Sequence, residues 1–200
     1  SSRDADAWID GASEVLRTSR GPVAIMDGSE RLRGGHNQLN LLTAGLALHA
    51  FGLDVEEIRN ALRGFPGLEH RLELFLERDG LAFWNDSAAT VPEATLAAAR
   101  SMESPFLLIC GGNDKGLDFA PFRALAPLAR GAYVLAGSAS EKVLAALRAG
   151  GADPRGPFQT LQSAVEAALA EATAGTSILF SPGCTSFGMF LNEFDRGRRF

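Results

Sequence analysis

The chain has 200 residues, of which 46% are hydrophobic and 22% are charged, and its formal net charge is −5. This composition is typical of a globular protein with one large core, or with one complete and one partial domain. Nucleic-acid binding is excluded as the main role, because the chain lacks a concentrated cluster of Lys and Arg; residues 196–199 are interpreted as a basic tail too short to matter. Membrane insertion is excluded because no apolar stretch approaches the roughly 18 residues that a spanning helix needs.

The two cysteines, Cys110 and Cys184, lie in or just after apolar segments that are typical of buried strands. Neither has a second Cys or a His at the spacing of metal ligands. We therefore expect two reduced thiols and a cytoplasmic protein.

The first third of the chain contains four segments with a regular pattern. They predict a helix at residues 4–18, a strand at 22–26, a helix at 37–51 and a second helix at 55–63. Gly52 closes the third segment, Asp54 is a plausible N-cap for the fourth, and Gly64 ends it. The pattern changes after this helix pair, so we place a domain boundary at about residues 65–70.

From residue 72 onward the pattern predicts strands that alternate with helices. A β-hairpin is expected at residues 72–84, around the turn Arg78-Asp79-Gly80. Strands are then expected at residues 106–110, 132–136 and 177–180, separated by helices near 121–129, 139–149 and 161–173. This order predicts an α/β fold, Rossmann-like and doubly wound, with a mostly parallel sheet and helices on both faces. Such sheets bind ligands at the carboxyl ends of their strands, where the loops at 111–116 and 181–186 lie.

Two asparagines at the start of the predicted helix 37–51 are candidates for binding a heterocycle. Asn37 and Asn40 are three residues apart, so both amides could face one base, and an amide can donate to and accept from an adenine edge. Helix capping by Asn37 explains the same pattern equally simply. His36 is either a packing or capping residue or a neighbour of the nucleotide.

An arginine and an aspartate near the predicted boundary are candidates for a second set of contacts. Arg71 is suited to bidentate contact with phosphate or ribose oxygens, and a surface ion pair with Glu69 or Glu73 is the alternative. Asp86 follows a predicted strand, where it either binds a ligand or forms an N-cap or Asx-turn.

The loops after the later strands carry candidates for binding an anion. Lys115, in Gly111-Gly112-Asn113-Asp114-Lys115-Gly116, can place a point charge beside a carboxylate, while the glycines let a ligand approach the backbone. A turn with a solvated lysine is the alternative. Ser186 is expected at the start of the final helix, where hydroxyl and backbone N–H groups favour an anion, unless it is an ordinary N-cap.

Residues 35–40 (Gly-His-Asn-Gln-Leu-Asn) and 68–73 (Leu-Glu-His-Arg-Leu-Glu) together resemble motifs of the Mur ligases, and the spacing of the later motifs resembles the D-glutamate-adding branch. These ATP-dependent amide ligases add amino acids to a UDP-linked muramoyl precursor of peptidoglycan, the cell-wall polymer. The resemblance implies ATP and Mg²⁺ as cofactors, UDP-N-acetylmuramoyl-L-alanine and glutamate as partners, and a monomer. It assigns ATP binding to His36, Asn37, Asn40, Arg71 and Asp86, and glutamate binding to Thr90, Lys115, Ser186 and Phe187.

The chain lacks the phosphate-binding Gly-x-x-x-x-Gly-Lys-[Ser/Thr] loop that a Mur ligase needs. We therefore expect residues 1–67 to be the last part of the ATP-binding domain and residues 68–200 to be the C-terminal glutamate-binding domain. The phosphate-binding loop and the magnesium ligands would lie upstream of Ser1, so we expect no catalytic residue in this chain and no activity from it alone.

Two positions depart from the usual pattern of the family. Ala88 stands where the motif Asn-Asp-Ser-Lys-Ala-Thr-Asn has lysine, and Glu193 stands where an aromatic residue commonly closes over glutamate. Because one cation is lost and one carboxylate is gained, a ligase that adds L-glutamate is an alternative. A non-catalytic Rossmann-like module that binds a ligand is a second alternative.

Overall fold

A computed structural model of the chain describes residues 6–10, 13–18, 21–26 and 35–200, with side chains from residue 37 onward in the last range. These residues divide into two compact units, Ser1–Gly67 and Leu68–Phe200. No helix in the described ranges is both long enough and apolar enough to cross a membrane.

The first unit contains a three-stranded antiparallel sheet and two helices. Its elements are β1 (Ala7–Asp10), β2 (Ser13–Thr18), β3 (Gly21–Met26), α1 (Gly35–Ala50) and α2 (Val55–Arg63). The strand and both later helices confirm the predictions for residues 22–26, 37–51 and 55–63. Asp54 is the N-cap of α2: its Oδ1 accepts from the backbone N–H of Glu57, whose carboxylate accepts from the N–H of Asp54, each at 2.9 Å.

The predicted helix at residues 4–18 is wrong, because the described residues of this segment form β1 and β2. β1 pairs with β2 and β2 pairs with β3, so that all three strands share backbone hydrogen bonds. Leu16 of β2 is fully buried in a core with Ile25 of β3 and Ile58 of α2. The apolar spacing in a short segment is compatible with either structure, and the partner strand β3 and the helices above the sheet decide for strands.

The second unit is built on a six-stranded sheet in the order β4-β5-β9-β6-β7-β8. Its strands are β4 (Glu73–Arg78), β5 (Leu81–Asn85), β6 (Phe106–Gly111), β7 (Gly131–Leu135), β8 (Arg155–Phe158) and β9 (Ser177–Phe180). Its helices are α3 (Pro92–Arg100), α4 (Ala120–Leu125), α5 (Ser140–Ala149), α6 (Leu161–Leu169) and α7 (Glu193–Arg199), and a 3₁₀ turn follows α4 at Ala126–Leu128. The hairpin β4–β5 is antiparallel, and all the other pairs are parallel.

Helices cover both faces of this sheet, which confirms the predicted doubly wound α/β fold. Successive residues of β6 point to opposite faces: Leu108 packs in the core beneath α3, α4 and α5, whereas Leu107 and Ile109 pack in the core beneath α6. Such two-sided burial explains why β6 is apolar without alternation. The helix α3 and the strand β8 were not among the predicted elements.

The position of β9 creates the crevice of the fold. β9 lies between β5 and β6 in the sheet, although it follows both in the chain. β5 and β6 lead into helices on one face, whereas the segment after β9 ends at Phe200, which packs against the core on the other face. Connections that leave in opposite directions from neighbouring strands open a crevice at the carboxyl ends of those strands, where α/β proteins bind ligands.

Candidate functional site

Backbone hydrogen bonds join the three loops that follow β5, β9 and β6. The N–H of Gly183 donates to the carbonyl of Ala89 at 2.9 Å, which links the β9 loop to the β5 loop. Asn113 and Thr185 exchange backbone N–H to carbonyl bonds of 3.2 and 3.0 Å, which link the β6 loop to the β9 loop. Thr90, Lys115 and Ser186 therefore lie on loops that are held side by side.

Glycines allow these loops to approach so closely. A Cβ on Gly112, whose φ is +139°, would lie 2.7 Å from the carbonyl oxygen of Thr185. A Cβ on Gly137, after β7, would lie 2.1 Å from the carbonyl oxygen of Gly112. Both contacts are with backbone atoms, so the packing of the loops requires glycine at positions 112 and 137.

Asp114 shapes the turn that presents Lys115. Its Oδ1 accepts from the N–H groups of Gly116 at 2.7 Å and Leu117 at 3.1 Å, and its Oδ2 accepts from Lys142 Nζ at 2.6 Å. The hydrogen bond from Lys142 is the main reason why the pKa of Asp114 lies below its usual value. Lys115 itself is exposed and forms no ion pair within the described ranges, which leaves its charge available to a ligand.

Asp86 is buried at the carboxyl end of β5. Its Oδ1 accepts from the backbone N–H of Leu72 at 3.0 Å, and its Oδ2 accepts from the hydroxyl of Ser181 at 2.7 Å. Desolvation outweighs these hydrogen bonds and raises the pKa of Asp86 to about 7. This carboxyl group therefore ties the β4–β5 hairpin to the β9 loop.

Arg71 occupies a backbone segment of unusual conformation. The residues on either side of it, His70 and Leu72, have φ values of +61° and +47° in the left-handed region. The N–H of Ala88 donates to the carbonyl of His70 at 3.0 Å, and the bond from Leu72 to Asp86 holds the other side. Arg71 is exposed, and within the described ranges it forms no ion pair, so the alternative of a surface ion pair is not observed.

Glu69 and Glu73 surround His70 instead of Arg71. The Oε1 of Glu69 lies 3.2 Å from His70 Nε2, and the Oε2 of Glu73 lies 3.6 Å from His70 Nδ1. The same Glu73 oxygen accepts from the N–H of His70 at 2.8 Å. The hydrogen bond to Glu73 thus helps to hold the segment that carries Arg71.

A cavity of about 330 Å³ opens at the carboxyl ends of β6 and β7. Its lining includes Ser186 and Phe187 but neither Thr90 nor Lys115. Ser186 is buried, whereas the side chain of Phe187 is 65% exposed. Of the four residues predicted to bind glutamate, the structure thus places two on the wall of one cavity and two on adjoining loops.

Comparison with known proteins identifies the chain's relatives. No family model matches. The chain is 46% identical over 201 residues to a protein of Roseiflexus sp. named UDP-N-acetylmuramoylalanine–D-glutamate ligase, an alignment that covers 97% of this chain and 43% of that protein. A protein of the same name from Symbiobacterium thermophilum is 37% identical, with 98% of this chain and 42% of that protein covered.

The chain belongs to the Mur ligase family. It spans about two fifths of the length of these relatives.

Solved structures show that the Mur ligase fold extends over most of the chain. UDP-N-acetylmuramate-alanine ligase of Thermotoga maritima superposes with a TM-score of 0.66 at 16% identity, covering 94% of this chain and 42% of that one. Folylpolyglutamate synthase of Mycobacterium tuberculosis, solved in complex with ADP and AMPPCP, gives a TM-score of 0.66 at 21% identity, covering 90% of this chain and 46% of that one. At these identities the likeness is one of fold.

The residues predicted to bind ATP are distributed over both units. Asn37 is buried and Asn40 is exposed, and both lie on α1 in the first unit. The backbone of His36 also lies in α1, but its side chain lies outside the described residues. Arg71 and Asp86 lie in the second unit, where they are joined through the N–H of Leu72.

One prediction about the end of the chain is wrong. Ser186 does not start the final helix: α7 begins at Glu193, and its N-cap is Asn192, whose Oδ1 accepts from the N–H of Asp195 at 2.8 Å. Residues 196–199 belong to α7, and the side chain of Arg196 is buried with 1% exposure and also lines the cavity. Asn192 three residues before Asp195 was a capping signal that could have located this helix.

Metal ligation has no counterpart in the described part of the chain. No group of three or more His, Cys, Asp or Glu side chains there is placed to hold a metal ion. Cys110 and Cys184 are both buried free thiols, and burial raises the pKa of each.

Proposed function

We propose that this chain forms the amino-acid-binding part of an ATP-dependent amide ligase that adds D-glutamate to UDP-N-acetylmuramoyl-L-alanine in peptidoglycan synthesis. The observation that carries the proposal is the meeting of the loops with Thr90, Lys115 and Ser186 in a chain that is 46% identical to a ligase of that name. Residues 68–200 would bind glutamate, and residues 1–67 would complete the ATP-binding domain. The free thiols Cys110 and Cys184 support a cytoplasmic location.

The proposed reaction forms an amide bond in two steps. The terminal phosphoryl group of ATP is transferred to the carboxylate of UDP-N-acetylmuramoyl-L-alanine, which yields an acyl phosphate and ADP. The amine of glutamate then attacks the acyl carbon, and the tetrahedral intermediate expels inorganic phosphate as the amide forms and the amine loses a proton. When bound with the nucleotide, Mg²⁺ would supply charge stabilisation for the phosphoryl transfer.

The chain's own residues fit the binding of a nucleotide and of an acidic amino acid. Arg71 is an exposed guanidinium that forms no ion pair with the described residues, so its planar fork of donors is available to a phosphate. Each oxygen of the Asp86 carboxyl group accepts one internal hydrogen bond, which leaves acceptor capacity for a ribose hydroxyl. Lys115 supplies a cation for a carboxylate, and the buried hydroxyl of Ser186 supplies a donor in the neighbouring cavity.

A ligase that adds L-glutamate is the second candidate, and it is favoured by the two departures from the family pattern. Ala88 removes a cation from the loop that carries Thr90. Glu193 adds a carboxylate to the start of α7, and its backbone carbonyl accepts from the hydroxyl of Ser87 at 2.7 Å in that same loop. Both changes lie beside the proposed glutamate site, where they would alter how the amino acid is held.

Phosphate release decides between these functions. The full-length protein is incubated with UDP-N-acetylmuramoyl-L-alanine, ATP and Mg²⁺, and with D-glutamate or L-glutamate in parallel. Release that requires D-glutamate supports the proposal, and release that requires L-glutamate supports the second candidate. Release with neither amino acid contradicts both and favours a non-catalytic ligand-binding module.

Lys115→Ala should raise the KM for glutamate by about 10- to 100-fold, because a charge-assisted hydrogen bond contributes about 1.5–3 kcal/mol. The KM for ATP should stay within about twofold, since Lys115 lies on the amino-acid side of the proposed site. Steady-state phosphate release measures both constants. Arg148→Ala is the control. Arg148 is an exposed cation in the last turn of α5, and its removal should change neither KM. An unchanged KM for glutamate in Lys115→Ala would remove this lysine from the site.

A further inference from the structure

Resting on the proposed function, we infer that Arg196 and Gly197 are positioning residues: Arg196 holds the loops of the glutamate site, and Gly197 holds the segment that presents Arg71. Neither residue was among the predicted site residues. They are neighbours in α7, yet their contacts lead to different loops. The helix thereby joins the two proposed binding sites within the second unit.

Arg196 uses its guanidinium to bind the loops after β5 and β9 together. Its Nε donates to the Ser87 hydroxyl at 3.0 Å, its Nη2 donates to the Ser87 carbonyl at 2.7 Å, and its Nη1 donates to the Cys184 carbonyl at 2.9 Å. Ser87 is three residues from Thr90, and Cys184 is two residues from Ser186.

The acceptors of Arg196 identify its role. All three are neutral groups of the loops, and no carboxylate in the described ranges forms an ion pair with this guanidinium. Burial lowers the pKa of Arg196 to about 10, so that the side chain remains charged at neutral pH. A buried guanidinium that donates hydrogen bonds to two loops at once sets the distance between those loops.

Gly197 supports the other segment. Its carbonyl accepts from Asn85 Nδ2 at 2.8 Å, and a Cβ at this position would lie 2.4 Å from ring atoms of His70. The imidazole of His70 therefore rests directly on the backbone of α7. Because His70 and Leu72 both have positive φ, the orientation of Arg71 between them depends on such external supports.

Two substitutions in α7 should separate these effects. In the full-length protein, Arg196→Lys should raise the KM for glutamate by about tenfold, because one ammonium cannot replace the fork that reaches both loops. Its KM for ATP should change by less than about twofold. Gly197→Ala should do the reverse, through displacement of His70 and Arg71. Arg198→Lys, at an exposed position of the same helix, is the matched control.

A purely structural role would lower the fraction of active protein and kcat while both KM values stay unchanged, and that result would overturn the inference. If Gly197→Ala fails to fold, His70→Ala removes the same contact without adding a Cβ and should raise the KM for ATP. The KM for ATP remaining unchanged in His70→Ala would refute the role of Gly197.

Amide hydrogen exchange tests the inference without reference to catalysis. Arg196→Lys should speed exchange at Gly183 and Thr185, whose N–H groups tie the loops together, and Gly197→Ala should speed exchange at Leu72 and Ala88. If the wild-type protein has no ligase activity but the two variants show this exchange pattern, the proposed function fails and the positioning role stands. Exchange that is unchanged, or equally faster at all four amides, would refute the positioning role.

Discussion

Asp86→Asn should remove the pH dependence of stability that Asp86 causes. In the wild-type protein the free energy of unfolding should fall by up to about 4 kcal/mol as the pH rises from about 4 to about 7. The folded-state pKa of Asp86 is about 7 and its ordinary value is 3.8. Between these values the unfolded chain has released its proton and the folded chain has retained it. The folded state binds more protons, so its stability falls through this window and becomes constant above it.

Asparagine is a suitable replacement because it keeps both internal hydrogen bonds. Its carbonyl oxygen can accept from the N–H of Leu72, and its amide can donate to the hydroxyl of Ser181. At pH 8 the variant should therefore be more stable than the wild type, while at pH 4 the two should be similar. Urea unfolding monitored by tryptophan fluorescence at several pH values measures the difference.

Asp114 provides a control of opposite sign. The hydrogen bond from Lys142 lowers its folded-state pKa, so its contribution to stability is present above the ordinary pKa and is lost as the pH falls below it. Asp114→Asn should therefore weaken the protein at neutral pH and have no effect at low pH. If the difference in unfolding free energy between wild type and Asp86→Asn is the same from pH 4 to pH 8, the prediction for Asp86 is wrong.

Gly137→Ala should destabilise the second unit by about 3 kcal/mol or more. The new Cβ would lie 2.1 Å from the carbonyl oxygen of Gly112 and 2.4 Å from its carbonyl carbon. Neither contact can be relieved by a side-chain rotation, because both atoms belong to the backbone of the β6 loop. Separation of the loops after β6 and β7 would also break the bond from the N–H of Ala139 to the carbonyl of Gly112.

Gly131→Ala is the matched control, because Gly131 begins β7, the strand that Gly137 follows. Its Cβ would meet the Cδ2 of Leu107 at 3.1 Å, a flexible side-chain end that can move by the few tenths of an ångström required. The shift in urea midpoint should be several times larger for Gly137→Ala than for Gly131→Ala. Equal shifts would show that the loops tolerate separation.

The sequence alone determined the fold class of the second unit. Strands such as 106–110 and 177–180 are mainly apolar runs flanked by turn residues such as Pro105 and Pro182, and helices such as 139–149 carry apolar residues at helical spacing, so that local preference and burial agree. The N-cap of α2 was likewise predictable, because Asp54 contacts the backbone N–H of Glu57, only three residues away.

Signals that local sequence lacks account for the errors. Residues 7–10 and 13–18 form strands because β3 and the helices of the first unit pack against them, and neither partner lies within the predicted helix 4–18. Ser186 was expected at a helix start because it follows β9, yet a loop that lines the cavity lies between Ser186 and the start of α7 at Glu193.

The candidate site divides in the same way between sequence and structure. Residue type and position made Arg71, Lys115 and Ser186 candidates in the sequence, and the resemblance to Mur ligases assigned them binding roles that stay predictions. The buried state of Arg196, and its bonds to loops more than 100 residues away in the case of Ser87, became visible only in the tertiary structure. Arginine side chains are usually exposed, so the sequence did not indicate burial here. Only the acceptors that the folded loops supply can compensate the free-energy cost of burying this charge.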